Sequence, residues 1–277
     1  MNSVGRLDLT PFIALWDLKV EGRPAVGNDI LYVRRGDESL VLKGLDPVED
    51  EWRMAAVLTH WGGAGAVKLI AEAPGAVLIE RARPGGELAD LALAGEDDRA
   101  TQAFCEVFAQ LNKPAPEAGG FRRIEDWGKG FARVRDRGLA VGFTAARLDA
   151  AEALFHELCA SKGPPILLHG DLHHHNIVRD AARGWLAIDP KGVLGEAEYE
   201  VGALLRNPQG TMDHWNAETQ NRRIDILAER LGFDRQRLRG WAFAQAVLGC
   251  LWGLESGHYE GRWMGMADAT AQVAGAS

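Results

Sequence analysis

Three oxygen-bearing side chains stand at intervals suited to handling a phosphoryl group. Residues 166–176 read I-L-L-H-G-D-L-H-H-H-N. An apolar run ends at His169 and a polar loop begins at once, so that Asp171 and Asn176 lie five positions apart. Eighteen residues beyond Asp171 comes Asp189, which closes a second apolar run, W-L-A-I-D-P. Asp180 and Gly184 supply turn chemistry between the two runs. A hairpin there sets the ends of both runs side by side, and the three side chains converge. Phosphoryl transfer needs such a set. Magnesium takes hard oxygen ligands, for which Asn176 and Asp189 are suited. A separate carboxylate must accept the proton of the attacking hydroxyl and orient it, and Asp171 is placed for that. Asp and Asn are also ordinary turn formers; the flanking apolar runs and the hairpin set this pair apart.

The spacing H-x-D-x-x-x-x-N, followed by a strand and an aspartate, is that of the catalytic loop in protein kinases. A lysine that neutralises nucleotide phosphates is then expected upstream. Lys43, in L-V-L-K-G, interrupts an apolar strand and is the candidate. Its acidic partner should come from the next helix. Glu51, Met54, Leu58 and Trp61 fall on one helical stripe, which points to Glu51, with Glu49 as the competitor. A solvated glutamate in the first turn, favoured there by the helix dipole, is the plainer account of either. His173, His174 and His175 diverge on an ordinary loop. No cysteine or HExxH pattern accompanies them, so hydrogen bonding is favoured over zinc.

The elements that must position these residues fall into two groups. Leu31–Val33 and Leu40–Leu42 are strand-like, with Gly36-Asp37 as the turn between them. Gly22–Asn28 is turn-rich. Pro47 opens a helical stretch of about a dozen residues that stops near Gly62-Gly63. Ala66–Ile70 and Ala76–Glu80 read as further strands. After Arg83-Pro84-Gly85-Gly86 helices dominate. Ala100, Phe104, Val107, Phe108 and Leu111 recur at helical spacing, and further helices are expected over 145–160 and from Val201 onward. The fold class is therefore α+β. A small β-rich lobe (1–82) binds nucleotide, and a larger, mainly helical lobe (83–277) carries catalysis and acceptor. Ligand pockets favour such a boundary. The acceptor pocket is expected beside Asp171, from residues 121–150 and 196–260, with Trp127 a candidate lining residue. Glu196, Glu198 and Glu200 either attract a cationic acceptor or cap a helix start.

The 277 residues carry a formal net charge of −8, which gives a nucleic-acid partner little electrostatic support. With 47% hydrophobic and 25% charged residues the composition is that of a globular protein. Cys105, Cys159 and Cys250 are widely separated and odd in number, which argues against a disulfide framework. No stretch reaches the roughly 18 apolar residues of a membrane span. A cytoplasmic monomer or weak dimer acting on a small molecule is expected, without a nucleic-acid or membrane partner.

The blocks H-G-D-L-H-H-H-N-I-V, W-L-A-I-D-P-K-G-V-L-G-E and Y-E-V-G-A-L-L-R-N-P resemble the aminoglycoside/hydroxyurea antibiotic resistance kinases. The likeness extends to L-V-L-K, to H-W-G-G-x-G-A-V-K-L and to L-I-E-R-A-x-P-G-G-E-L, and so touches both expected lobes. It implies a bilobal, protein-kinase-like fold and an ATP- and Mg2+-dependent phosphotransferase acting on a hydroxyl of an aminoglycoside, of hydroxyurea or of a neutral metabolite; the alternative is a catalytically inactive ATP-binding regulator, against which the intact set Lys43, Asp171, Asn176 and Asp189 argues. It implies that Asp171 is the base, that Asn176 and Asp189 bind magnesium and that Lys43 contacts ATP. Glu80-Arg81-Ala82 would be the hinge, with Glu80 and Ala82 at the adenine. Gly22–Asn28, with Gly27, would cover the nucleotide. Two departures from the pattern stand out: there is no full G-x-G-x-x-G, and Met54 occupies the place of the helix glutamate.

Overall fold

A computed structural model describes residues 7–25, 29–46, 50–117, 120–139, 144–208, 216–257 and 268–269. A short helix, α1 (Thr10–Leu15), leads into β1 (Lys19–Gly22), β2 (Ile30–Arg35) and β3 (Glu38–Gly44). Helix α2 (Met54–Trp61), preceded by a 3-10 turn over Asp50–Arg53, then leads to β4 (Leu69–Ala73) and β5 (Ala76–Glu80). The five strands form one antiparallel sheet in the order β1-β2-β3-β5-β4. Its two faces follow from the period of two along a strand. Leu31, Val33, Leu40, Leu42 and Leu78 pack together with Leu9 and Leu18. Val41 and Lys43 alternate with Leu40 and Leu42, pair with Ile79 and Val77 across the ladder, and so occupy the other face. Lys43 is carried into the interior in this way.

Two local readings change. Residues 66–68 do not open a strand of this sheet. Gly65 and Val67 bond instead to Ala187, with Ala187 N–H donating to Gly65 O at 2.8 Å and Val67 N–H to Ala187 O at 3.1 Å. The Pro84–Glu87 segment is a strand, β6, rather than only a break. It lies at the edge of its sheet, where a proline's missing N–H costs no ladder bond.

Helices follow: α3 (Leu88–Leu93) and α4 (Asp97–Leu111), then the two-residue β7 (Arg122–Arg123), α5 (Ile124–Gly128), α6 (Gly130–Asp136) and α7 (Ala145–Ala160). Strands β8 (Ile166–Leu168), β9 (Ile177–Asp180), β10 (Gly184–Ala187) and β11 (Val193–Gly195) carry the polar loops, and α8 (Val201–Leu205), α9 (Ala217–Leu231) and α10 (Arg235–Ser256) complete the described chain. β9 and β10 form a hairpin in which Asp180 opposes Gly184, β6 adds to its edge, and β7, β11 and β8 form a third sheet. α10 is sheathed by α7, α8 and α6, and its Trp241, Phe243 and Leu248 are buried. A bidentate pair between Arg223 on α9 and Asp97 on α4, 2.9 and 2.5 Å, is likewise buried. Among the described residues no helix is long and apolar enough to cross a membrane, and all three cysteines are free and buried.

Candidate active site

Two cavities meet at the loop between β8 and β9. The larger, about 580 Å3, lies between the five-stranded sheet and the β9–β10 hairpin; Lys43, Glu51, Asn176 and Asp189 line it. The smaller, about 530 Å3, lies on the helical side and contains Asp171, Lys191, Arg206, Trp127 and Trp252. The loop thus shows its aspartate to one space and its asparagine to the other.

In the larger cavity Lys43 Nζ lies 2.5 Å from Glu51 Oε2 and 2.7 Å from Asp189 Oδ1. Burial works against the lysine's charge, but the two carboxylates outweigh it and raise its pKa. Glu51 sits on the 3-10 turn that precedes α2; Met54, Leu58 and Trp61, its stripe-mates, are buried. Glu49 and Gly27 lie outside the described residues. Asp189 has φ +56°, a left-handed conformation that aspartate tolerates better than most residues. It lies just past β10, where Ile188 N–H donates to Asn176 O at 2.9 Å and so ties the two loops together. Asn176, which lines the cavity, donates from Nδ2 to the Asp171 carbonyl at 2.9 Å, which commits the amide nitrogen and leaves the oxygen as its acceptor. The donors available are thus a carboxylate and an amide oxygen, the hard ligands that suit magnesium. Glu80 and Ala82 line the same cavity, and the Glu80 side chain pairs with Arg183.

In the smaller cavity Lys191 Nζ lies 3.0 Å from Asp171 Oδ2. His173 Nε2 lies 3.8 Å from the same oxygen. Burial favours the neutral acid, but Lys191 foremost, then His173 and Arg206, hold the Asp171 pKa at about 2. His173 is itself pushed down to about 4 by burial, so it is neutral near pH 7 and Lys191 supplies the counter-charge there. Backbone bonds brace the loop. His169 Nε2 bonds Ile188 O at 2.7 Å, and Nδ1 accepts from Asp171 N–H at 3.2 Å, which together assign the proton to Nε2. Glu200, 2% exposed, accepts N–H bonds from His169 (2.6 Å), Gly170 (3.0 Å) and Leu172 (3.4 Å), bracketing Asp171. Gly170 has φ +85°, and a Cβ there would lie 2.8 Å from Trp127.

The three glutamates after Asp189 do not form a cation-attracting patch. Glu196 is 2% exposed and accepts from Trp241 Nε1 and from Arg237 Nε. Glu200 is spent on the loop, and Glu198 lines neither cavity. Their alternation after the strand looks like a charged edge, whereas the 3-10 turn over Ala197–Glu200 folds the first and last inward. The three histidines do not all diverge: His173 faces Asp171 and meets the His175 ring edge-on with centroids 5.7 Å apart, His175 bonds Glu87 at 2.7 Å, and His174 is buried. No cluster able to hold a metal through His, Cys, Asp and Glu occurs among the described residues. Lys191, Arg206 and Glu200 are the residues whose placement the sequence reading missed. Lys191 follows Asp189 by two positions, and Arg206 ends an apolar run; both signals were available.

The family model for aminoglycoside/hydroxyurea antibiotic resistance kinases matches residues 16–257. The chain belongs to this family. It is 34% identical over 235 residues to a streptomycin 3''-kinase of Klebsiella pneumoniae, covering 82% of this chain and 85% of that one. It is 32% identical over 256 residues to a hydroxyurea phosphotransferase of Kitasatospora aureofaciens, covering 89% and 72%. Among solved structures, a thermostable mutant of aminoglycoside phosphotransferase APH(4)-Ia, in ternary complex with ADP and hygromycin B, superposes with a TM-score of 0.68. That match covers 96% of this chain and 97% of the other at 14% identity, a likeness of fold. This member of the resistance-kinase family is a small-molecule phosphotransferase with the bilobal, kinase-like fold.

Proposed function

We propose that this kinase transfers the γ-phosphoryl group of ATP to a hydroxyl of a small polar molecule, with Asp171 as the base. The carrying observation is the meeting of the two cavities at one loop, with Asp171 on the acceptor side and Lys43, Asn176 and Asp189 on the other. ATP would occupy the larger cavity, with adenine near Glu80–Ala82 and its phosphates toward Lys43. Asn176 and Asp189 are the residues that would hold magnesium, which supplies neutralisation of the phosphate charge. The acceptor hydroxyl would lie against Asp171. Its oxygen forms a bond to the γ-phosphorus, the bond to the β-phosphate oxygen breaks, ADP leaves, and the hydroxyl proton passes to Asp171. A carboxylate with a pKa of about 2 is a weak base. It therefore orients the hydroxyl in the ground state and takes the proton late, as the new P–O bond makes that proton acidic. A loose transition state suits this order.

The relatives' names make streptomycin and hydroxyurea the first acceptors to test. The experiment uses labelled ATP with each of them, on the native chain and on Asp171→Asn. The variant should keep its nucleotide affinity and lose roughly a hundredfold or more in turnover, the usual scale for a lost base. An unaltered rate would remove Asp171 from the mechanism.

A further inference from the structure

The wall of the larger cavity can be followed along β9, which runs from Asn176 to Asp180 at the hinge, with β6 beside it. At the hinge end Asp180 Oδ2 accepts from Arg83 N–H at 3.2 Å, Ala181 N–H donates to Arg83 O at 2.7 Å, and Pro84 opposes Asp180. Gly85, with φ +82°, lets the chain turn away from the hinge; a Cβ there would lie 3.1 Å from Ala82 O. Further along β6, Glu87 opposes Val178, which follows Asn176 by two positions. Glu87 and Val178 both line the cavity. A carboxylate thus stands part-way along the wall, between the segment proposed for adenine and the residues proposed for magnesium.

Its partner is His175, whose Nδ1 lies 2.7 Å from Glu87 Oε2. His175 lines the same cavity and directly precedes Asn176. The Glu87 and His175 side chains are 48% and 35% exposed, and a pair so exposed contributes little to stability. What it does is hold the carboxylate in one place. The backbone is fixed as well, since Glu87 N–H donates to Asp90 Oδ2 at 3.2 Å in the capping box that starts α3. A carboxylate accepts about four hydrogen bonds. His175 and the capping box take part of that capacity, and the remainder matches the two hydroxyls of a vicinal diol.

We infer that Glu87, held in place by His175, binds the ribose of the nucleotide by accepting hydrogen bonds from both of its hydroxyls. In a nucleotide the ribose joins the base to the phosphates, and Glu87 occupies the corresponding place on the wall. The enzyme therefore selects ribonucleotides over their deoxy forms. Because His175 adjoins Asn176, the ribose is read from the same loop that carries a proposed metal ligand. The inference rests on the reading of the larger cavity as the nucleotide site.

Calorimetry with Mg2+ and ADP, 2'-deoxy-ADP and 3'-deoxy-ADP tests it without turnover. The wild type should bind ADP at least about tenfold more tightly than either deoxy form, the scale of one hydrogen bond to a carboxylate. Glu87→Gln should bring the three ligands within about threefold of one another, by weakening ADP and leaving the deoxy forms nearly unchanged. His175→Ala frees the carboxylate to rotate and should lower the preference for ADP by at least about threefold, again without moving the deoxy affinities. A pair that merely braces β6 against the loop would lower all three affinities by one factor and keep their ratio, and that result would overturn the inference. So would a wild type that binds the three ligands within about threefold, which needs no variant, or a preference that survives Glu87→Gln. If Glu87→Gln does not fold, the wild-type ranking and His175→Ala decide. Lys43→Met separates the underlying reading from this one. It should weaken ADP and both deoxy forms alike, by at least about tenfold; ADP affinity unmoved by that variant would place the nucleotide elsewhere and defeat the reading of the cavity itself.

Discussion

Replacing Glu200 by glutamine should flatten the pH dependence of stability between about pH 4.5 and 7. The carboxylate is buried, and burial raises its pKa from 4.5 to about 7 despite the N–H bonds from Leu172, Gly170 and His169 that favour the charge. Between those two values the folded state binds the proton and the unfolded state does not, so stability is greatest below about pH 4.5 and is lost as pH rises through about 7. The span is 7 − 4.5, or about 2.5 pKa units, and at 1.36 kcal/mol per unit it corresponds to roughly 3 kcal/mol. Glutamine cannot ionise, so the variant lacks this contribution. Urea unfolding at intervals from pH 5 to 8, on both proteins, isolates it as the difference between two curves. The wild type should lose on the order of 2–3 kcal/mol more than the variant across that range. Parallel curves would refute the reasoning. Turnover supplies an independent check. The amide can offer only one oxygen to the loop, so kcat should fall by about tenfold, on the order of 1.4 kcal/mol.

Lys191→Met should raise the Asp171 pKa, since burial then acts with its main counter-charge gone; the acid limb of the kcat/KM profile should move up by at least about one unit, and an unmoved limb would discount the pair. Asp189→Ala should abolish magnesium-dependent nucleotide binding, read by calorimetry with and without the metal; wild-type affinity would make the ligand assignment wrong. Arg223→Ala leaves Asp97 buried beside the lost guanidinium and frees the Asn207 carbonyl that it holds at 2.7 Å, so denaturant unfolding should show a loss of about 3–5 kcal/mol. A loss below about 1 kcal/mol would mean that the pair is dispensable.

Local chain geometry explains what could be read without a fold. Asp171, Asn176 and Asp189 belong to one stretch of 19 residues closed by a hairpin, so strand alternation and the Asp180–Gly184 turn suffice to bring them together. Lys43 and Glu51 are eight residues apart, and the stripe shared with Met54, Leu58 and Trp61 aims the glutamate inward. The segment at Ala66 was misread because its partner is Ala187, far along the chain, and no local period reveals such a pairing. The smaller cavity is of the same kind. Asp126, Arg133 and Arg206 come from separate elements; Lys129 pairs with the first and Glu255 with the second, while the guanidinium of the third, among the described residues, hydrogen-bonds only the neutral Gln245 oxygen. Three alternating glutamates look like a cation-binding edge in one dimension; a 3-10 turn buries two of them and spends one on the loop between β8 and β9. By itself, then, the sequence determined which polar side chains share the loop and hairpin and their mutual spacing, because hydrogen-bonded register is local. The charge of the space in front of them was decided by tertiary packing, because a side chain's counter-ion is whichever group the folded helices bring beside it.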